Sequence, residues 1–370
     1  MSSTFGHSLR ISVFGQSHSP AIGVTIDGLP AGLKVDMEEV SAFLARRAPG
    51  QGAYATARKE SDAPEVLSGL VDGFTCGAPL CAVIHNKDTR SKDYEAMRQL
   101  PRPSHADYAA YVKYGQYHDI RGGGHFSGRL TAPLCFAGAV AMQFLQQKGI
   151  LVGAHISSIG EVEDTPFSPV DLTEEELLTP SRRSFPVLFE EAGEKMLSLI
   201  AQVKSEGDSI GGTIQGAAIG LPPGLGEPMF QGVENLLAGA LFAIPAMRGV
   251  EFGAGFAASQ MRGSQHNDPF YRDEKDRVRT RTNRHGGVLG GITSGMPLLF
   301  RCAIKPTPSI ALPQETVRLS GGEDTLRIEG RHDPCILPRA VPCVEAVTAL
   351  VLCDLWLMTY GNQKIDGMKG

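Results

Sequence analysis

Apolar residues recur at two distinct periods along the chain. Alternating or β-branched stretches predict strands at LRISVFG (9–15), GVTIDG (23–28), LCAVIH (80–85), GGTIQGAAIG (211–220) and PLLFRCAI (297–304). Apolar spacing of three and four predicts helices near 36–47, 131–147, 192–205, 229–244 and 341–359. Hairpin-like connections between the strands favour an α+β fold with antiparallel sheets over a regular βαβ alternation. The stretch 155–200, containing EVEDTPFSPVDLTEEELLTPSRR, is the most polar and reads as a surface excursion with a short acidic helix.

The pattern also repeats. SGLVDGFTCGAPLCAVIHNK (68–87) aligns without a gap on GGVLGGITSGMPLLFRCAIK (286–305), and GLPAGL (28–33) resembles GLPPGL (220–225). In both halves the second motif precedes a helical run, EEVSAFLARR (38–47) or GVENLLAGAL (232–241). This order predicts one domain over 1–370 with pseudo-symmetric halves near 10–150 and 205–360.

Composition narrows the class. In 370 residues, 42% are apolar and 20% charged, which suits a globular chain and not a disordered or fibrous one. A net charge of −5 gives no footing for nucleic-acid binding. MSSTFGHSLR has no apolar core, and the longest apolar runs are short (132–145) or interrupted by Glu345 and Asp354, so neither signal peptide nor membrane span is expected. The seven cysteines form no CxxC pair, which argues against zinc and disulfides and for a reducing cytoplasm.

Candidate chemistry sits on glycine- and proline-bearing loops. RGGGHFSGR (121–129) fits neither GxxxxGK[ST] nor GxGxxG, and stays open between a turn and an anion loop. FGQSHSP (14–20) holds Ser17 and His18 but no GxSxG elbow. LPRPSHADY (100–108) fixes Arg102 and His105 between prolines, and GRHDPC (330–335) sets Arg331 beside Asp333. GGVLGGITSG (286–295) precedes KPTPS (305–309), whose Lys305, Thr307 and Ser309 suit a phosphate or polar ring edge. GAGFAA (253–258) meets the loose GxGxxA pattern without the acidic residue a dinucleotide fold needs. No HExxH or similar spacing occurs, so no metal is expected. Arginines, histidines and an aspartate on such loops suit a multiply charged anionic substrate and proton transfer.

These motifs, with RRAPGQ, HNKDTRSKDYE, KYGQYHDIRGGG, DSIGG, GLPPGLGEP and IPAMRGVEFGAGF, resemble chorismate synthases in the family's order over nearly the whole chain. The resemblance implies a layered sandwich of helices and antiparallel sheets, usually a homotetramer. It implies 1,4-anti elimination of phosphate from 5-enolpyruvylshikimate 3-phosphate, giving chorismate with reduced FMN as cofactor. It implies active-site roles for His18 (acid to the leaving phosphate), His105 (partner of the flavin) and Asp333 (proton removal), with Ser17 and Ser127 assisting. Arg47, Arg102, Arg129 and Arg331 would line the substrate and flavin pocket. His125, Phe126, Ser127, Ala246, Gly290, Lys305, Pro306, Thr307, Pro308, Ser309 and Arg331 would contact FMN. NADPH-linked flavin reduction would fall to an external reductase.

The chain departs from the family at Gln16 and Ser19 (usually Glu and Gly), at His125, Phe126, Gly128 and Leu130 (usual motif GRSSARET), and at Ala48 and Ala53, where arginines are usual. Two alternatives therefore accompany the enzyme reading: an inactive flavin- or phosphoshikimate-binding paralogue, and a phosphate-handling hydrolase using Ser17 and His18.

Overall fold

The period-two stretches become two five-stranded antiparallel sheets in the computed structural model, which describes residues 3–49, 62–86, 99–328 and 333–362. The first is built from β1 (Thr4–Phe5), β2 (Arg10–Gly15), β3 (Ala21–Asp27) and β4 (Pro64–Ser68). A hairpin of β5 (Leu70–Val71) and β6 (Phe74–Thr75) leads into its last strand, β7 (Leu80–His85). The second sheet holds β8 (Leu151–Ile159), β9 (Val162–Glu163), β10 (Gly212–Ile219) and β11 (Met247–Phe252). A ribbon of β12 (Phe270–Arg272) and β13 (Val278–Thr280) and a hairpin of β14 (Val288–Leu289) and β15 (Ile292–Thr293) precede its strand β16 (Leu298–Ile304). β17 (Gln314–Val317) and β18 (Glu323–Leu326) form a separate ribbon.

Eight α-helices accompany the sheets among the described residues: α1 (Met37–Arg47), α2 (Asp107–Tyr114), α3 (Thr131–Gln146), α4 (Glu174–Leu178), α5 (Glu190–Ser205), α6 (Val233–Leu241), α7 (Gly263–His266) and α8 (Leu337–Tyr360). α3 packs on β2, β3 and β7 and on α8, which packs on β8 and β10 of the second sheet; α1 and α6 flank this pair. The architecture is α+β, with helices between antiparallel sheets.

Local chemistry accounts for the helices that frame the site. Asp36 caps α1 by accepting from Glu38 N–H at 2.9 Å and Glu39 N–H at 3.1 Å. Glu38 and Glu39 in the first turn and Arg46 and Arg47 in the last complement the helix dipole. α3 is apolar on nearly every face because it is buried on nearly every face. Gly138 lets it approach α8: a Cβ there would collide with Ala346. By composition Gly128–Gln146 and Leu337–Tyr360 could each cross a bilayer, but 83% and 89% of those windows are buried inside the fold.

The two carboxylates that interrupt α8 are anchors. Asp354 accepts the N–H groups of His7, Ser8 and Leu9 at 2.8 to 3.1 Å, fixing the N-terminal segment. Glu345 takes Arg46 at 2.6 and 2.9 Å and the Ala154 N–H at 3.2 Å, tying α1 and β8 to α8.

The sheets run in the same order once one is reversed, β1-β2-β3-β7-β4 against β9-β8-β10-β16-β11. The matched sequence segments make matched bonds. Thr75 Oγ1 donates to Pro30 O at 2.6 Å and accepts Leu33 N–H at 2.9 Å; Thr293 Oγ1 does the same with Pro222 at 2.7 Å and Leu225 at 2.9 Å.

The reading of 155–200 as a surface excursion needs correction. Residues 155–159 lie in β8, covered by α8 on one side and by Phe167 and Leu177 on the other. Polar side chains there are buried with partners: His155 reaches Asp164 at 3.1 Å and Gln215 at 3.0 Å, and Ser158 reaches Thr213 at 2.8 Å. The acidic helix itself is present as α4.

Candidate active site

Between the layers lies a cavity of about 930 Å³. Its wall brings together Ser17, Arg47, Arg102, His105, His125, Phe126, Ser127, Arg129, Ala246, Lys305, Thr307, Pro308, Ser309 and Asp333. These come from seven sequence segments that the fold brings onto one space. His18, Gly290 and Pro306 are not on this wall. His18 is buried, with its ring against Gly122, which is on the wall. Gly290 sits at the turn of the β14 and β15 hairpin. Pro306 contributes a carbonyl that accepts Lys305 Nζ at 3.2 Å. Arg331 and Ala53 fall outside the described residues.

The opening glycines of RGGGHFSGR are a conformational requirement. Gly122, Gly123 and Gly124 take φ of 57°, 83° and 56°, the left-handed region. A Cβ on Gly122 would lie 2.5 Å from Ser17 Oγ and 2.6 Å from His18 Cε1, so the loop closes directly over the Ser17 and His18 turn. Ser17 N–H donates to Gly124 O at 3.0 Å and locks the two loops together. His125 completes the lock. Its Nδ1 donates to Gly15 O at 2.7 Å, which leaves Nε2 to accept from Ser3 Oγ at 2.7 Å. In this chain the residue at 125 is thus a loop clip.

Charges on the wall are paired in a definite way. Asp62 is held between Arg47 and Arg129, one carboxylate oxygen to each. Arg47 is further fixed by Thr131 Oγ1 at 3.0 Å and Gly128 O at 3.2 Å, and Arg129 by Asn86 Oδ1 at 3.1 Å. Burial opposes the Arg47 charge, yet the Asp62 carboxylate wins and holds its guanidinium above the ordinary value. Arg339 bonds Asp333 and gives its Nε–H to Arg47 O at 3.0 Å. Burial and the neighbouring Arg47 charge push Arg339 below its ordinary value.

His105 is oriented by Asp107. Nδ1 donates to Asp107 Oδ1 at 2.6 Å, and Arg102 grips the same carboxylate through Nε at 2.7 Å and Nη2 at 2.9 Å. Burial alone would raise the Asp107 carboxyl, but these hydrogen bonds hold it well below the usual carboxylate range. With Nδ1 committed, Nε2 is the nitrogen left for a ligand in the cavity. Thr307 Oγ1 donates to Asp333 O at 3.1 Å, tying the 305–309 loop to that aspartate.

Sequence reasoning missed Asp62, Asn86, Asp107, Arg248 and Arg339. Asp107 and Asn86 lie inside quoted motifs, RPSHADY and HNKD, so the signal was present. Asp62 and Arg339 only gain meaning from long-range contacts. Besides His125, two departures from the family have local explanations. Ser19 Oγ accepts Gln16 N–H at 2.9 Å and donates to Ala21 O at 2.7 Å, closing the turn. Leu130 packs with Ile22, Ile84 and Ala132.

The chain matches the family model described as chorismate synthase over residues 9–357. It is 46% identical over 351 residues to a chorismate synthase of Korarchaeum cryptofilum, covering 95% of this chain and 96% of the relative. It is 49% identical over 350 residues to one of Thermococcus gammatolerans, covering 94% and 96%. A crystal structure of a chorismate synthase superposes with a TM-score of 0.78 at 30% identity, covering 97% of this chain and 95% of that one. On these matches the chain belongs to the chorismate synthase family, whose members are lyases.

Proposed function

We propose that this cavity binds 5-enolpyruvylshikimate 3-phosphate beside reduced FMN and eliminates phosphate in a 1,4-anti sense to give chorismate. The observation that carries this reading is the convergence of His105, Asp333, two serines and the paired arginines on one wall. The donor set fits the cofactor: the volume suits a large ligand, Leu134, Phe242, Val347 and Leu350 offer apolar surface for a ring, and Lys305 and Arg248 offer charge for its phosphate. When bound, reduced flavin supplies electron density to the substrate without net redox change.

The chain's own residues would divide the work. Arg47 and Arg129, held rigid around Asp62, stabilise the negative charge that develops as phosphate leaves. Ser17 lines the cavity and His18 lies next to it behind Gly122, so a proton from His18 would reach the phosphate by way of the Ser17 hydroxyl. Asp333, kept close by Arg339, would take the ring proton. His105 would hydrogen-bond the flavin through Nε2, with Ser127 beside it. Arg102 commits two of its nitrogens to Asp107, so it acts chiefly by holding His105 in place. Pro308 and Ser309 would border the flavin.

We also read the chain as a single pseudo-symmetric domain, working as a cytoplasmic homotetramer. An external reductase, drawing on NADPH, would supply its reduced flavin. In support, GAGFAA forms a 3₁₀ turn after β11 and leads into no helix of dinucleotide-binding length. All seven cysteines are free thiols, which suits a reducing compartment.

The inactive-paralogue reading draws on His125 and Leu130, both of which have structural partners here. Anaerobic incubation with reduced FMN and the enolpyruvyl substrate separates the readings. Chorismate absorbance with equal phosphate release supports the lyase. Ligand binding without turnover supports the paralogue. Phosphate release without FMN or chorismate supports the Ser17 and His18 hydrolase.

A further inference from the structure

Two thiols meet in the core next to the cavity wall, and the chemistry assigned above uses neither. Cys135 of α3 and Cys343 of α8 are both buried, and Cys135 Sγ donates to Cys343 Sγ at 3.8 Å. The contact follows from how tightly the two helices pack. A Cβ on Gly138 would fall 2.4 Å from Ala346 Cα, and each cysteine stands three residues earlier on its helix. Helical positions three apart share a face, so the thiols occupy the next turn of the same seam.

The surroundings divide the pair into unequal members. The hydrogen bond from Cys135 and the Arg47 and Arg339 charges hold the Cys343 thiol below its ordinary value, although burial opposes them. Burial pushes Cys135 well above it. By contrast, burial pushes Cys302, Cys335 and Cys353 up. One member is thus set to react as a thiolate and the other to resolve it as a thiol. Both lie among wall residues: Thr131 and Leu134 on α3, Arg339 and Val347 on α8. Cys343 Sγ–H donates to Arg339 O at 3.3 Å, while Thr131 holds Arg47 and Arg339 holds Asp333.

We propose that Cys135 and Cys343 are an oxidation site, closed by hydrogen peroxide to a disulfide that reversibly disables the cavity beside it. The Cys343 thiolate attacks one peroxide oxygen; the O–O bond breaks and hydroxide leaves, taking up the proton the thiol had released. Cys343 is then a sulfenic acid. The Cys135 sulfur attacks that sulfur, the S–S bond forms, and the sulfenic hydroxyl leaves with the Cys135 proton as water. Two thiols lose two electrons and one peroxide becomes two waters. The sulfurs must close from 3.8 Å to about 2.05 Å. That movement draws α3 and α8 together and takes Cys343 off the Arg339 carbonyl, so the residues holding Arg47 and Asp333 shift with it.

The full chain is treated with hydrogen peroxide as wild type, Cys135→Ser and Cys343→Ser, and the peroxide is then removed. Each sample is divided between peptide mass mapping without reductant and the turnover assay, whose use rests on the lyase reading. Thermal melts check that the variants are folded; if one is not, the wild-type map and its reversal by dithiothreitol decide. The expected result in wild type is a Cys135–Cys343 cross-linked peptide with turnover lowered about ten- to a hundredfold, the range for a wall displaced by about 1 Å. Dithiothreitol restores both, and the treated variants keep their turnover. Absence of the cross-link, or conversion of the cysteines singly to sulfinic acid, overturns the site. A cross-link with unchanged turnover overturns its hold on the cavity. So does an equal loss of turnover in the variants, which places the damage elsewhere. Untreated wild type without turnover overturns the lyase reading, and the peptide map, which needs no turnover, then decides the oxidation site.

Discussion

Replacing Asp62 by Asn should cost stability and raise affinity for anions at the same time. The carboxylate is 1% exposed and lies between two arginines that are 3% and 6% exposed. The amide cannot balance either charge, so two buried guanidinium groups are left facing each other. Breaking a buried pair in this way costs about 3–5 kcal/mol. An unfolding entropy of roughly 2.1 cal/mol/K per residue, over a chain of 370 residues, makes about 4 kcal/mol equal to a fall of about 5 °C in Tm. Added phosphate should then raise the melting temperature of Asp62→Asn more than that of wild type, because it takes the place of the missing carboxylate. Differential scanning calorimetry across a phosphate titration measures both effects. A variant with wild-type Tm, or one that phosphate does not rescue beyond wild type, would refute the view that Asp62 organises Arg47 and Arg129 as an anion site.

Other consequences follow from the same contacts. Asp107→Asn should lower kcat by about 10²-fold or more, the range for losing a positioned acid–base group, with a smaller change in substrate KM; an unchanged kcat would show that His105 does not need its carboxylate. The depressed carboxyl of Asp107 stabilises the fold above the ordinary aspartate value near 3.9, and that stabilisation is lost as pH falls towards its native value. Acid titration of Asp107→Asn, followed by circular dichroism, should therefore be flatter below about pH 4 than that of wild type. Gly122→Ala should abolish turnover, since its Cβ would meet Ser17 Oγ at 2.5 Å; an active variant of normal Tm would mean the loop yields freely. Restoring the family's carboxylate with Leu130→Glu should lower stability, because it places a charge among Ile22, Ile84 and Ala132; thermal melts decide this.

Much of the fold was legible where a period was strong. The strands at 9–15, 80–85 and 297–304 and the helices at 36–47 and 131–147 lie within a residue or so of β2, β7, β16, α1 and α3. β8 was misread because a strand covered on both faces loses its alternation, and because His155 and Ser158 look exposed until their partners are known. β11 hid in IPAMRGVEFG, where the bulge at Arg248 breaks the period. α2 is short, and Pro101, Pro103 and His105 drew attention to the loop before it. In the site, motif residues such as His105, Ser127, Arg129 and Lys305 were accessible to sequence reasoning because loops that bind anions need Gly, Pro, Arg and His. Their partners of opposite charge were legible only where they share a motif, as Asp107 does with His105. Asp62 and Arg339 meet their partners only after sheets and helices stack, and no spacing rule in one sequence encodes that.

The central claim is that one cavity holds substrate and flavin against the paired arginines. A crystal structure of the chain with FMN and 5-enolpyruvylshikimate 3-phosphate tests it most directly. The account predicts both ligands in the space lined by Arg47, Arg129, His105 and Asp333, with the flavin against the 305–309 loop and the substrate's phosphate near Ser17. Either ligand bound outside that space, or a flavin ring beyond reach of His105, would contradict it.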